Sequence, residues 1–308
     1  MVWWNLRKSA SAHVGVELLP DGVALACRSG SGADASIADV ALLSCAPSQR
    51  QELLTDYVSR AKLQDAPCNL VLAPSQYQLL LVEAPQVPEE EMRAAVRWRL
   101  KDLVNIPLES AVVDLFHHPS DATRSGKRMI FIVVTERDTI LNARKLLEDS
   151  GLRLSVIDIS EMSLRNLTLM LPAEETDGRG VAMVRVREGA GSLGLYRNGD
   201  MYLSRQFELN YGGGLLDDLP GEDLVLEIQR SLDYSERQMG QAPPSAIYIC
   251  GDNISEDKIT EPITQGLAVP VRALRPGAFT SIQCEQDDAI QQACVGAIGA
   301  AMRREGWS

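Results

Sequence analysis

The chain has 308 residues, of which 45% are hydrophobic and 23% charged, a composition typical of a globular protein with about two domains. Its formal net charge of -12 argues against a broad nucleic-acid-binding face, because phosphate contacts need clustered lysine and arginine side chains. No apolar run approaches the roughly 18 residues that a membrane span requires.

The cysteines and the N-terminus indicate a cytosolic protein. The cysteines are too far apart to suggest a zinc site or a disulfide framework, so we expect reduced, mostly buried thiols. The pair His117–His118 has no third ligand nearby and predicts no metal site. Residues 1–12 lack the apolar core of a secretory signal, and we interpret them as a short tail that folds back on the body.

Residues 13–76 begin the predicted core. The pattern predicts two strands joined by a turn at Pro20-Asp21-Gly22, followed by a strand at Ile37–Ser44. A helix is predicted at Gln49–Leu63. The apolar segment Cys68–Ala73 is typical of a strand that is covered on both faces of a mixed sheet.

Residues 77–135 are predicted to form a strand-helix-strand-strand module inserted into this core. Its predicted elements are Tyr77–Ala84, Glu89–Val104, Ala111–His117 and Arg128–Thr135. Trp98 does not share the apolar stripe of the predicted helix, so it must be covered by something else. One interpretation is packing on the body of the protein, because tryptophan is usually largely buried, and the other is an anchor for a partner.

Residues 136–176 are predicted to return to the first core. A helix at Thr139–Asp149 ends at Gly151, where a glycine can adopt the left-handed conformation that closes helices. The strand Leu154–Ile159 and the helix Ser160–Leu171 follow, with Ser160 as the expected N-terminal cap. The acidic segment Pro172–Gly180 has no periodicity and marks a boundary.

The second half repeats the order of the first. Its predicted elements are strands at Val181–Val186, Gly194–Arg197 and Met201–Glu208, a helix at Asp223–Gln238, a strand at Ile247–Cys250 and a closing helix at Asp287–Arg304. In the closing helix, Gly296 and Gly299 would allow close packing on a neighbour. A duplicated mixed α/β core with an insertion in its first half accounts for this order.

Several segments together resemble the PilM family of type IV pilus assembly, and most of all its MshI relatives of mannose-sensitive haemagglutinin (MSHA) pili. In chain order, these segments are VGVELLPDGVALA, VRWRLKDLVNIPLESAVVDL, VIDISEMSLRNL, EIQRSLDYSERQ and AIYICGD. The resemblance implies an actin-like fold, which is a ribonuclease-H-like duplication, with the inserted module also found in FtsA. It implies a first core of residues 13–76 and 136–176, the module at 77–135, a second core at 177–286, and a C-terminal helix at 287–304 that packs back on the cores.

The family has a nucleotide cleft, and this chain departs from it at three places. Leu19 and Pro20 stand in the first phosphate loop, where glycine normally lets backbone N–H groups approach phosphate oxygens. Arg185 stands where the second phosphate hairpin carries a metal-facing acid. The adenosine strand, which usually ends in two glycines, here ends in Gly251-Asp252. The degenerate cleft would comprise Glu17, Asp21, Gly22, Arg185, Gly251 and Asp252.

Arg185 is therefore the most informative residue of the predicted cleft. We expect Val184 and Val186 to face the core and Arg185 to cross the cleft to Glu17 or to Asp21. Two alternatives for Arg185 are that it is a solvated residue of the strand, or that it binds phosphate without a metal.

The leading functional hypothesis is a non-catalytic cytoplasmic scaffold with no cofactor. It would dock to the cytoplasmic N-terminal peptide of a PilN-like single-span inner-membrane protein, and so reach the membrane only through partners. We expect the peptide in a cleft between the module and the first core, with Trp98 as a contact. The assembly ATPase is a further candidate partner, and a second copy of this chain, forming a homo-oligomer, is another.

Two alternatives remain. The first is an actin-like ATP-binding protein or ATPase, which would use ATP with magnesium and needs a metal-holding acid in each loop. The second is a cytoplasmic domain of type II secretion. Because one fold supports many functions, the choice depends on the chemistry of the cleft.

Overall fold

A computed structural model describes residues 12–123, 126–284 and 287–304, so the predicted tail lies outside the described residues except for Ala12. The strands are β1 (His13–Leu19), β2 (Gly22–Ser29), β3 (Ser36–Ser44), β4 (Pro67–Leu72), β5 (Tyr77–Glu83), β6 (Ala111–His117), β7 (Met129–Glu136), β8 (Arg153–Ile159), β9 (Val181–Arg187), β10 (Ala190–Arg197), β11 (Asp200–Glu208), β12 (Ala246–Gly251) and β13 (Val271–Ala273). Most agree with the predicted strands to within a few residues.

The helices connect these strands and cover their faces. They are α1 (Arg50–Ala61), α2 (Glu89–Arg99), α3 (Arg137–Asp149), α4 (Ser160–Thr168), α5 (Ala173–Thr176), α6 (Gly221–Tyr234), α7 (Glu261–Gly266), α8 (Pro276–Phe279), α9 (Asp288–Ala293) and α10 (Val295–Ala301). None of the helices in the described ranges combines the length and the apolar character that a membrane crossing requires.

Two five-stranded sheets have the same construction. The first has the order β3-β2-β1-β4-β8 and the second the order β11-β10-β9-β12-β13. In each sheet an antiparallel three-stranded meander is followed by strands that run parallel to its first strand. The predicted duplication of a mixed α/β core is therefore present in the sheet topology.

Between β4 and β8 the chain forms a separate three-stranded antiparallel sheet, with the order β5-β7-β6. Helix α2 covers one face of this sheet, where Met92, Val96 and Leu100 are fully buried. Leu79 and Phe116 pack instead against the buried residues of the first core. Strand β5 is an edge strand, so one side of its backbone is not paired within the sheet.

The predicted closing helix Asp287–Arg304 is wrong in one respect, because it is interrupted at Cys294. The two segments pack on largely different parts of the protein: α9 contacts β3 and β12, whereas α10 contacts mainly β1, β2, β4 and α4 and touches β3 less. Small residues such as Gly296 and Gly299 let α10 lie close to its neighbours.

The cysteines agree with the expectation of reduced thiols. All six are free, and five are buried. Burial raises the pKa of the Cys250 thiol to about 12, and the charge of Glu17 adds to this rise while Arg185 opposes it.

Candidate functional site

Equivalent positions in the two sheets carry opposite charges. Glu17 is the fifth residue of β1, counted from His13, and Arg185 is the fifth residue of β9, counted from Val181. Val184 and Val186 are fully buried in the core of the second sheet, as predicted. Because successive side chains of a strand point to opposite faces, Arg185 is directed out of that core.

Arg185 and Glu17 form a two-pronged ion pair between the sheets. The Arg185 Nη1 and Nη2 atoms donate to Glu17 Oε1 and Oε2, each at 2.8 Å. Glu17 is 1% exposed and Arg185 4% exposed, so water reaches neither side chain. Of the two carboxylates that we predicted for Arg185, Glu17 is therefore the partner.

A second arginine joins this pair from the same strand. Arg187 lies 3.8 Å from Glu17 Oε1 through Nη1 and 3.5 Å from Asp252 Oδ1 through Nη2, and its side chain is 22% exposed.

Burial alone would lower the pKa of Arg185, but the charge and hydrogen bonds of Glu17 outweigh it and raise that pKa above its ordinary value. The guanidinium is therefore charged at every physiological pH.

Helix α10 covers the ion pair. A Cβ atom on Gly296 would lie 2.1 Å from Glu17 Oε2 and 3.1 Å from Arg185 Nη1. On Gly15 of β1, a Cβ atom would lie 1.9 Å from the backbone oxygen of Ala297. The small residues of this segment therefore pack closely, as predicted, and they do so on the charged pair and on strand β1, which carries Glu17.

The other predicted cleft residues are more dispersed. Asp21 is exposed in the turn between β1 and β2, where its backbone oxygen accepts a hydrogen bond from Cys45. A Cβ atom on Gly22 would lie 2.6 Å from the backbone oxygen of Leu43, so this glycine accommodates β3. Gly251 has a φ of 124° and donates its N–H to Gln292 Oε1 at 3.1 Å.

The predicted role of Ser160 is wrong. It is the first residue of α4 and makes no side-chain cap. Its Oγ atom instead accepts a hydrogen bond from Arg185 Nη1 at 3.1 Å. Sequence reasoning missed this contact because it depends on a strand 25 residues away.

A groove borders the inserted sheet, and we call it the edge groove. Its volume is about 430 Å³, and it is lined by Tyr77, Gln78, Leu79, Leu80, Leu81, Phe131, Leu203, Ser204 and Gln206. These residues belong to β5, β7 and β11, and β5 and β11 are edge strands of their sheets. The groove therefore lies between the module and the second five-stranded sheet, whereas the sequence predicted a cleft facing the first core.

Glu161, the second residue of α4, joins three parts of the chain beneath this groove. Its carboxylate accepts hydrogen bonds from Tyr77 of β5 and from Ser204 and Gln206 of β11. It is 3% exposed. Nothing in the local sequence distinguished this glutamate from an ordinary acidic residue in the first turn of a helix.

Trp98 is 84% exposed, so the interpretation that it packs on the body of the protein is wrong. It lies on α2, which covers the face of the inserted sheet opposite to Leu79 and Phe116, and it does not line the edge groove. Sequence periodicity showed only that Trp98 lies off the apolar stripe, because it does not reveal whether another element covers the remaining surface.

Neither a protein-family model nor a curated protein matches this sequence. Among solved structures, a chain of the PilM-PilN type IV pilus biogenesis complex is similar, with a TM-score of 0.72 and 18% identity over 94% of this chain and 97% of that one. A protein of Bacteroides thetaiotaomicron with an actin-like ATPase fold and unknown function has a TM-score of 0.54 and 11% identity over 92% and 97% of the two chains.

The cytoplasmic domain of EpsL, an inner-membrane component of the type II secretion system of Vibrio cholerae, is also similar. Its TM-score is 0.51, with 12% identity over 78% of this chain and 82% of that one. Identities this low establish the fold and nothing finer. The chain has an actin-like fold in a PilM-like arrangement.

Proposed function

We propose that this protein is a non-catalytic cytoplasmic scaffold of type IV pilus biogenesis, of the MSHA type. It docks to the cytoplasmic N-terminal peptide of a PilN-like single-span protein and reaches the inner membrane only through such partners. The observation that carries this proposal is the buried ion pair between Glu17 and Arg185, considered together with the fold similarity to the PilM-PilN complex.

The charged residues of the cleft do not fit ATP with magnesium. Magnesium prefers carboxylate oxygens and water as ligands, and here Arg185 engages both oxygens of Glu17. The equivalent position in the second sheet supplies a cation instead of a second acid. The ion pair and α10 therefore take the place of a metal-nucleotide complex as the link between the two halves.

The edge groove supports docking of an extended peptide. A free strand edge can pair with the backbone of a peptide, while pockets beside it take alternate side chains. Strands β5 and β11 offer two such edges to one groove, and Leu79, Leu81 and Leu203 are among its apolar lining residues. A short peptide fits this combination better than a nucleotide does.

Leu81→Arg is expected to weaken binding of the partner peptide at least about tenfold, which corresponds to about 1.4 kcal/mol. Leu81 lines the groove and is 38% exposed, so arginine removes an apolar contact without opening the core. Calorimetric titration with the cytoplasmic N-terminal peptide of the neighbouring single-span pilus protein measures the effect.

Leu141→Arg is the matched control for this titration. Leu141 is 49% exposed on α3 and does not line the groove, so its replacement should leave peptide affinity unchanged. Equal affinity for the two variants would remove the edge groove as the docking site. No binding by the unmodified protein would overturn the proposed function.

Trp98→Ala is expected to leave both stability and peptide affinity unchanged, because the side chain is exposed and lies away from the groove.

We assign Trp98 to a contact with the assembly ATPase, since exposed tryptophans are frequent anchors of interfaces. Capture of the purified ATPase should fall more than about tenfold, a loss of over 1.4 kcal/mol. Tyr234→Ala, at an exposed aromatic residue on α6, is the control, and equal capture by the two variants would refute this assignment.

A further inference from the structure

The Glu161 carboxylate is buried with neutral partners alone. The Tyr77 hydroxyl donates to Oε2, while Ser204 Oγ and Gln206 Nε2 approach Oε1 at 3.2 and 3.4 Å. Among the described residues, no lysine, arginine or histidine forms an ion pair with it. Because it has no counter-charge of its own, this carboxylate would gain a charge-assisted contact from a cationic group that reaches it.

The edge groove adjoins this carboxylate through the residues that donate to it. Tyr77, Ser204 and Gln206, the three donors to Glu161, are all lining residues of the groove. The two bonds to Oε1 are long, so Oε1 is the less satisfied oxygen, and both come from residues of β11 that line the groove. A cationic group could replace the contact with Gln206 by a shorter, charge-assisted hydrogen bond.

We infer that the edge groove selects an extended peptide segment in which a lysine or arginine is flanked by apolar residues, and that Glu161 is the residue that binds the cation. The inference rests on the proposed function for the identity of the peptide. The apolar neighbours would meet Leu79, Leu81 and Leu203, while the backbone pairs with an exposed strand edge.

Two general observations favour this occupant over a neutral or acidic one. The protein has a formal net charge of -12, which attracts basic segments over a distance. Cytoplasmic segments beside a membrane span carry an excess of lysine and arginine, and the proposed partner supplies such a segment.

The test compares Glu161→Gln with the unmodified protein, using two forms of the partner's cytoplasmic N-terminal peptide. One form is natural, and in the other each lysine and arginine is replaced by glutamine. Glutamine keeps the size of Glu161 and removes its charge. The natural peptide should bind Glu161→Gln about tenfold more weakly than the unmodified protein. The neutral peptide should bind both proteins equally.

A second variant protects the test against a folding defect. Gln206→Leu removes the weaker donor to Oε1 and leaves the carboxylate in place, so the natural peptide should bind it at least as tightly as it binds the unmodified protein. If Glu161→Gln binds the natural peptide as well as the unmodified protein does, the inference is overturned while the proposed function stands. The inference also fails if Gln206→Leu weakens the natural and neutral peptides alike.

A synthetic peptide with one lysine between leucines, and its glutamine match, separates the inference from the proposed function. If the lysine peptide binds in a way that depends on Glu161 while the partner peptide does not bind, the groove does select a cationic peptide, but the proposed partner is wrong. If neither the synthetic nor the partner peptide binds, both proposals fail.

Discussion

Replacing Arg185 with methionine is expected to lower the free energy of unfolding by about 3–5 kcal/mol. The substitution leaves the Glu17 carboxylate 1% exposed and without the guanidinium that engages both of its oxygens. An uncompensated charge in that position costs far more than the loss of one ordinary hydrogen bond. Urea denaturation followed by circular dichroism measures the change.

Two further variants separate the buried pair from its surroundings. Arg187→Met is the matched control, because Arg187 is 22% exposed and its ion pairs are 3.5 and 3.8 Å long, and it should cost less than about 1 kcal/mol. The double variant Glu17→Leu with Arg185→Met removes both charges and should recover most of the lost stability. Equal costs for Arg185→Met and Arg187→Met would show that the buried pair does not hold the two sheets together.

Gly15→Ala is expected to destabilise the protein by about 3 kcal/mol, the upper end of the range for overpacked cores. The added Cβ atom would lie 1.9 Å from Ala297 O and 2.5 Å from Ala301 N, which are backbone atoms of α10. No side chain can rotate away to relieve this contact, so the helix itself must move off β1. The same displacement would separate Gly296 from Glu17 and admit water to the ion pair.

Gly277→Ala provides the control for this substitution. The nearest neighbours of an added Cβ atom there are Gln291 Oε1 at 3.6 Å and Ile282 Cδ1 at 3.9 Å, which are ordinary contacts. Its free energy of unfolding should stay within about 0.5 kcal/mol of the unmodified value. A Gly15→Ala variant as stable as Gly277→Ala would mean that α10 is free to shift, and that its packing does not keep the cleft closed.

The sequence was most informative where local patterns determine structure. Alternation and turn residues place β1 and β2 on either side of Asp21, and the apolar segment Cys68–Ala73 agrees with β4. The contact between Arg185 and Glu17 was also predictable. The resemblance aligned the two strands, and strand alternation directs Arg185 away from its valine neighbours.

The remaining features depend on contacts between distant segments. Glu161 has donors 84, 43 and 45 residues away, so no local pattern can reveal its place beneath the groove. Trp98 was expected to be covered because tryptophan usually is, but no other element packs over that side of α2 in the described residues. The interruption at Cys294 separates two segments that contact largely different strands, a difference that the local sequence does not reveal.

Calorimetric titration of the unmodified protein with ATP and magnesium distinguishes a scaffold from an ATP-binding protein. Because the Glu17–Arg185 ion pair and α10 fill the space between the two sheets, we expect no binding up to about 1 mM nucleotide, while the same sample still binds the partner peptide. Binding of Mg-ATP in the micromolar range would contradict the proposed scaffold function. It would require the buried ion pair to open, and it would restore the ATP-binding alternative in place of the scaffold.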